Sequence, residues 1–380
     1  MNQMNPVAVL LMVKNEEDAI QVTIPSLYLF QHLFVLDTGS TDNTIPSLTS
    51  LTKQHNLTLH LKSSTFISFP HSRNEAIEFA ENICKKKLKH IKYLLLIDAA
   101  DVFKTNIDIH TFIQNINSIP QDIAFGIVKQ SWLDKGNMLS DHFDIRFISI
   151  KHKLRYDTSI PVHEQIQNAH LYKSLNFADM FYLYQDRAKF AASTERRFDR
   201  DIQLLSKAKP TKRNLYFLAQ SYMSINDFKN GFKYNVLSYE TKDPLTNTDF
   251  DEKFTIIRIA FCAKQIKLST KIIEKYLYLA LSLKEPPVDA YVYLFQLYIE
   301  NKTPELALPY IQEFFYLQKP SATSSTQLCN HLFYDYTRFH LISVISLMTK
   351  QHLDIGKMAC LMAIKQANKD IDKNNFNLFA

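Results

Sequence analysis

Two carboxylates, Asp98 and Asp101, follow directly on the apolar run Tyr93 to Ile97. A pair so placed can hold a divalent cation, because hard cations take oxygen ligands. Such a cation neutralises charge developing on a phosphate leaving group. Capping of the next helix accounts for one of the two carboxylates and leaves the other unexplained. Three further polar clusters end apolar runs in the first half of the chain: Val13-Lys14-Asn15-Glu16-Glu17, Leu36-Asp37-Thr38-Gly39-Ser40-Thr41-Asp42-Asn43-Thr44 and Ser72-Arg73-Asn74-Glu75. Asp37 at a strand end can accept hydrogen bonds from a base imide or a ribose, and Gly39 lets the backbone turn tightly. A plain strand-to-helix turn capped by Thr41 explains the same string about as well. Arg73 at a helix start can clamp a phosphate or pair with Asp37 or Asp98, although a surface arginine is the commoner case. Ile160-Pro161-Val162-His163-Glu164-Gln165 adds a His-Glu pair suited to a metal or phosphate contact and to general base work. Most isolated pairs of that kind are solvated surface.

The elements that must carry these residues read as βα units up to about Tyr184. Val7 to Val13, Leu33 to Leu36 and Tyr93 to Ile97 are continuous apolar runs, as expected of strands covered on both faces. Leu57 to Leu61 is a weaker, alternating fourth. Ser72-Arg73-Asn74-Glu75 has the form of a capping box, with Ala76, Ala80, Ile83, Cys84 and Leu88 following at helical spacing. Thr41 is expected to cap a helix beginning at Asp42. Polar residues at the ends of parallel strands line the crevice where open α/β sheets bind ligands.

From roughly Phe190 the texture changes to long, aromatic-rich amphipathic stretches: 214–222, 228–239, 254–264, 288–298 and 336–348. Helix pairs recur at intervals close to the repeat length of helix-turn-helix solenoids. Their Tyr and Phe stripes read as core between stacked helices rather than a ligand cage.

The 380 residues exceed what one core usually fills, so two domains are expected. Only 5 glycines are present, which adds weight to Gly39 inside a proposed binding loop. A formal charge of +6 suits an anionic small molecule as well as nucleic acid and decides neither. Cys84, Cys262, Cys329 and Cys360 lie far apart without a C-x-x-C pair, which argues for buried thiols in a reducing compartment. The apolar run at Val7 lacks a basic n-region and a small-residue cleavage site, so it reads as a first strand, not a leader. No later stretch is apolar for long enough to span a bilayer. A cytoplasmic location is expected.

The ordered set of motifs resembles family 2 glycosyltransferases of the GT-A fold, over about half of the chain. The resemblance is to the branch carrying V-K-N-E, L-D-T-G-S-T-D-x-T, S-x-x-R-N, a D-A-D-type strand end and V-H-E, often with tetratricopeptide-like (TPR-like) repeats behind. It implies an α/β GT-A domain (a Rossmann-like mixed sheet) over residues 1–188 and an all-α TPR-like helical domain over 189–380. It further implies that Asn15, Glu17 and Asp37, with Gly39 in the same loop, border the nucleotide. Arg73 would lie near the diphosphate and Asp98 would be the first Asp of the D-x-D element. His163 and Glu164 would face the donor sugar and acceptor. The implied metal, Mn²⁺ or Mg²⁺, would be held by Asp98 with Asp101 and His163. One departure stands out: the chain reads Asp98-Ala99-Ala100-Asp101, with Ala100 where the pattern has its central carboxylate.

The activity implied is that of an inverting, metal-dependent hexosyltransferase with a nucleotide-diphosphate sugar donor, UDP-sugar favoured. Glu164 is the expected base, Asp134, Asp141 or Asp144 the substitutes, and Asp101 the second catalytic carboxylate. The acceptor would be a glycan, protein or small molecule, a protein partner could sit on the helical repeats, and nucleic acid is not expected. The loss at Ala100 supports a rival reading, a catalytically impaired scaffold that binds a protein through its helices. A nucleotidyltransferase is a weaker rival, because Lys14-Asn15-Glu16 supplies no glycine-rich phosphate loop.

Overall fold

In a computed structural model, residues 4–242, 249–319 and 329–379 are described. They divide into two compact units, with the division falling between Thr194 and Glu195. The first is a mixed α/β sheet with helices on both faces; the second is helical.

Strand β1 (Val7–Val13) is the apolar run read from the sequence, and its residues are buried almost throughout. It lies between β2 (His32–Asp37) and β4 (Tyr93–Asp98), parallel to both, with β3 (Thr58–Ser63) beyond β2. The order β3-β2-β1-β4 reverses direction at β1, which is the topological switch where α/β sheets open a crevice at the strands' carboxyl ends. Beyond β4 the sheet turns antiparallel through β7 (Asn137–Ser149) and β6 (Ile123–Asp134). β9 (Phe181–Asp186) and β5 (Val102–Thr105) complete that side, and β8 (Lys173–Asn176) runs beside β6. A tight turn joins β6 to β7 with Lys135 and Gly136 both at positive φ (50° and 82°), the backbone that a two-residue hairpin requires.

Alternation along the strands sends Val9, Leu11, Val35 and Leu95 to one face, covered by α1 (Glu17–Ser26), α2 (Thr44–Gln54) and α4 (Ile109–Asn117). Ala8, Leu10, Leu94 and Leu96 face the other way, onto α3 (Phe69–Lys87). Two of the expected helix starts are displaced. α3 begins four residues before Arg73, capped by Ser68, whose hydroxyl accepts from His71 N at 3.4 Å. Pro70 in the first turn needs no N–H partner there. Ser72 is instead buried inside the helix, and Glu75 pairs with Lys62 (2.9 Å) and Ser64 (2.8 Å), so there is no capping box at 72–75. α2 begins at Thr44 rather than Asp42, and Thr41 N donates to Asn15 at 2.7 Å instead of serving a cap.

In the second unit α6 (Lys212–Ser224), α7 (Phe228–Glu240), α8 (Asp249–Gln265), α9 (Thr270–Leu281) and α10 (Val288–Glu300) each pack on the next. α12 (Arg338–Thr349), α13 (Leu353–Ala367) and α14 (Asp370–Asn377) do likewise. Alternate helices also touch (α6 with α8, α8 with α10, α10 with α12), the stacking of a helical-pair solenoid. The aromatic stripes form its core: Tyr291, Phe295, Tyr298 and Phe314 are fully buried. Cys84, Cys262 and Cys360 are buried free thiols; the side chain of Cys329 lies outside the described residues.

Candidate active site

The crevice at the carboxyl ends of β1, β2 and β4 is built from two loops and an ion-pair network. The loops, 13–17 and 37–44, are laced together. Thr38 N donates to Val13 O (2.9 Å), Asn15 N to Ser40 Oγ (3.0 Å) and Thr41 N to Asn15 Oδ1 (2.7 Å). Asn43 donates to Glu17 through its backbone and side-chain nitrogens (3.3 and 3.2 Å). The backbone nitrogen and Oδ1 of Asn15 and the carboxylate of Glu17 thus hold the loops. Asp37 is buried and accepts from Ser40 N (2.9 Å), closing the turn in which Gly39 takes φ 101°, a backbone that a Cβ would strain.

Asp98, last residue of β4, is gripped by two arginines. Arg73 Nη2 donates to Oδ1 and Arg146 Nη1 to Oδ2, each at 2.8 Å. Arg73 comes from the first turns of α3, which crosses this face; Arg146 comes from β7, alternating with buried Phe147 and so turned toward the same face. Arg73 Nε lies 3.6 Å from Glu164 Oε2, and Arg146 Nε 3.1 Å from Asp144. Glu164 is held in reach by a closed loop. Asn74 clasps the backbone of Tyr156 in both directions (2.9 and 2.7 Å), and Asp157 N donates to Gln165 O (2.8 Å). Tyr156 lies under the Arg73 guanidinium, 5.7 Å from ring centroid to Cζ.

Asp101 sits beneath, 1% exposed. Its Oδ1 accepts from Gln130 (2.9 Å) and Gln185 (2.7 Å), and its Oδ2 accepts from Asp98 N (2.7 Å). Burial, opposed by Arg146 and reinforced by the Asp98 charge, pushes its carboxyl up to about 6. Burial pushes Asp98 in the same direction, but Arg146 and Arg73 outweigh it and hold its carboxyl far below the usual range.

The structure therefore brings Arg73, Asp98, Asp101 and Glu164 into one network, with Asp144 from among the substitute bases. Asp37 is outside it. Val13 pairs with Asp37 and Met12 with Asp98, so alternation assigns the two carboxylates to opposite faces of the sheet. Their strands are two spacings apart, about 10 Å, which leaves them at opposite sides of the β1 end. His163 is exposed, at φ 55°. Asp134 ends β6 at the exposed hairpin tip, and Asp141 faces Lys129 at 4.0 Å.

The donors expected to hold Mn²⁺ or Mg²⁺ do not fit one as arranged. Both oxygens of Asp98 face guanidinium N–H groups and both of Asp101 face amide N–H groups. Among the described residues no group of three His, Cys, Asp or Glu side chains is disposed to hold a metal ion. Sequence reasoning missed Arg146, Gln130 and Gln185. A charged residue alternating with Ile145 and Phe147 inside a strand was the available signal for Arg146.

Neither a family model nor a curated protein matches this sequence. Among solved structures, S. aureus TarS is similar at 13% identity and TM-score 0.33, covering 93% of this chain and 54% of that one. The present chain thus spans about half the length of full TarS. S. aureus TarS 1-349 in complex with UDP-GlcNAc is similar at 12% identity and TM-score 0.30, over 96% of this chain and 92% of that one. A thermophilic TPR protein of Thermus thermophilus covers 50% of this chain and 93% of its own at 14% identity and TM-score 0.30. Likenesses of this grade identify neither family nor substrate. Among the described residues no helix is long and apolar enough to cross a membrane.

Proposed function

We propose that the first unit transfers a sugar, with inversion, from a nucleotide-diphosphate sugar (UDP-sugar favoured) to an acceptor hydroxyl. The observation that carries this is the bridge made by Arg73 between Asp98 and Glu164, beside Arg146, at the switch between β1 and β4. Glu164 takes the proton of the acceptor hydroxyl. The freed oxygen bonds to the anomeric carbon on the side away from the diphosphate, and the bond from that carbon to the phosphate oxygen breaks with its electrons passing to the leaving group. Arg73 and Arg146 then stabilise the diphosphate, since donors aimed at developing charge are usually the largest catalytic contribution. Each arginine meets Asp98 through one terminal nitrogen, Arg73 through Nη2 and Arg146 through Nη1. Two guanidinium groups face the carboxylates of Asp98, Asp101, Asp144 and Glu164, so the diphosphate gains most where its arrival releases an arginine from Asp98.

Titration calorimetry with UDP and a panel of UDP- and GDP-sugars, in EDTA and in Mn²⁺, tests the reading. Binding in EDTA is expected, weakened about a hundredfold or more in Arg73→Ala, with turnover lost in Glu164→Gln. Binding only with Mn²⁺ would return the leaving-group role to a metal, and no binding of any nucleotide sugar would end the proposal. That last result favours the second reading, a transferase-like scaffold, for which Ala100 and the fully engaged carboxylates of Asp98 and Asp101 are the supporting observations.

A further inference from the structure

At the opposite end of the same sheet, the loop from α3 into β4 carries Lys85, Lys86, Lys87, Lys89, His90 and Lys92 in eight residues. All five lysines are exposed. Lysines in the last turn of a helix complement its dipole, but that effect needs one or two and ends with the helix at Lys87. The run continues in space. β7 returns antiparallel beside β4, Tyr93 pairs with Ser149, and Ile150 N donates to Lys92 O at 3.0 Å. This brings exposed Lys151 and Lys153, with His152 between them, to the same edge. The His152 ring stands edge-on to Tyr172, centroids 6.3 Å apart, and there the turn 169–172 presents Leu171, 71% exposed, and Tyr172, 39% exposed. Lys173 follows, paired with Asp122 at 2.6 Å. Among the described residues Lys85, Lys86, Lys87, Lys89, Lys92 and Lys153 make no ion pair, and the nearby acid Glu81 is taken by Arg155 at 2.6 Å.

From the juxtaposition of this lysine belt with the protruding Leu171–Tyr172 turn, we propose that the amino-terminal edge of the sheet docks on an anionic lipid surface. Lysines near such a surface attract its headgroups without demanding fixed geometry. A leucine and a tyrosine beside them suit the boundary between headgroup and acyl chain. The composition fits a membrane better than nucleic acid. The unpaired cations here are all lysines, and no free arginine fork is present among the described residues of this edge to grip phosphates bidentately. Asp98 lies at the far end of β4, five residues or roughly 17 Å away, so docking leaves the crevice open to solvent. The inference is independent of the activity proposed above.

Flotation of the intact chain with phosphatidylcholine vesicles, with and without phosphatidylglycerol, tests it. Binding is expected only to the anionic vesicles and is expected to fall steeply with added salt. Replacing Lys85, Lys86 and Lys89 together by Ala should reduce partitioning about a hundredfold. Leu171→Ser with Tyr172→Ser should reduce it roughly tenfold. These side chains are exposed, so unchanged circular dichroism serves as the folding control. Absence of flotation at low salt would overturn the proposal. So would equal binding to neutral vesicles. A silent Leu171/Tyr172 change combined with lysine-dependent binding to duplex DNA or heparin would reassign the edge to a soluble polyanion and overturn it as well.

Discussion

Ala100 holds the point at which the sequence departs from the pattern it resembles, and its backbone is unusual too. It sits at φ 73° in the turn from Asp98 to Asp101, closed by Asp101 N donating to Asp98 O at 3.1 Å. A left-handed residue with a Cβ costs about 1–2 kcal/mol, and Asn, Asp or Gly carries it more easily than Ala. The turn keeps this strain because Asp101 is pinned from three sides by Gln130, Gln185 and Asp98 N. Ala100→Gly should therefore raise unfolding stability by about 1 kcal/mol, less whatever entropy the unfolded chain regains. Urea denaturation checks it; a lower midpoint would mean that the turn is relaxed. The carboxylate pair itself behaves oppositely at its two members. Asp98 is exposed enough to meet a ligand yet committed to two cations, whereas Asp101 is fully buried and committed to amides. Equivalent letters in the sequence thus carry different chemistry, and only the neighbours decide which.

Among the elements, what was legible followed from short-range pattern. β1 was readable because seven apolar residues in a row leave a strand buried on both faces as the simple solution. The helices α6, α7, α8, α10 and α12 were readable from aromatic periodicity. α9, α13 and α14 were not, and Arg146 was hidden because Asp98, its partner, lies 48 positions away. The start of α3 was misplaced because a serine three residues before a glutamate reads as a capping box, while Pro70 and buried Ser72 set the true register. α14 shows how little of an element's stability need reside in its own pattern. It is held by Asp372, fully buried, which accepts from Tyr336 Oη at 2.9 Å and from His340 Nδ1 at 2.6 Å. Gly356 of α13 adds a close approach, since a Cβ there would meet Ser346 Cβ at 2.4 Å. Asp372→Ala should cost about 2–4 kcal/mol, because it strands buried Tyr336 and half-buried His340. Hydrogen exchange confined to 370–377 at first, and a lowered denaturation midpoint, are the expected signs; an unchanged midpoint would remove Asp372 as the anchor.

Both units carry an acid whose charged form folding disfavours. Asp101 in the sheet unit is pushed up to about 6, and Asp289 in α10 is also pushed up to about 6, by burial only partly offset by its backbone and Arg258. A carboxyl raised in the folded state binds its proton more tightly there than in the unfolded chain. Its stabilising share is complete below the unfolded value near 4 and is lost as pH rises through about 6. Asp98 has the opposite sign, but its share fades only below that unfolded value, outside the window in which Asp101 and Asp289 titrate. Between about pH 4.5 and 7.5, which brackets the raised carboxyls, both acids therefore work against stability. In the sheet unit His32, His60 and His152, held below their ordinary value chiefly by burial, work the other way as they lose their protons. Melting followed by circular dichroism isolates the Asp289 share as the difference between wild type and Asp289→Asn. The wild type should lose several degrees relative to the variant across that window, taking about 2–4 °C per kcal/mol for units of this size. Asp289→Asn removes one titrating group and should take its share of the dependence with it, leaving the remainder to Asp101 and the three histidines. If Asp289→Asn leaves the slope untouched, the carboxyl at 289 is ionised in the folded state throughout that window and its environment is more polar than the packing of α10 implies.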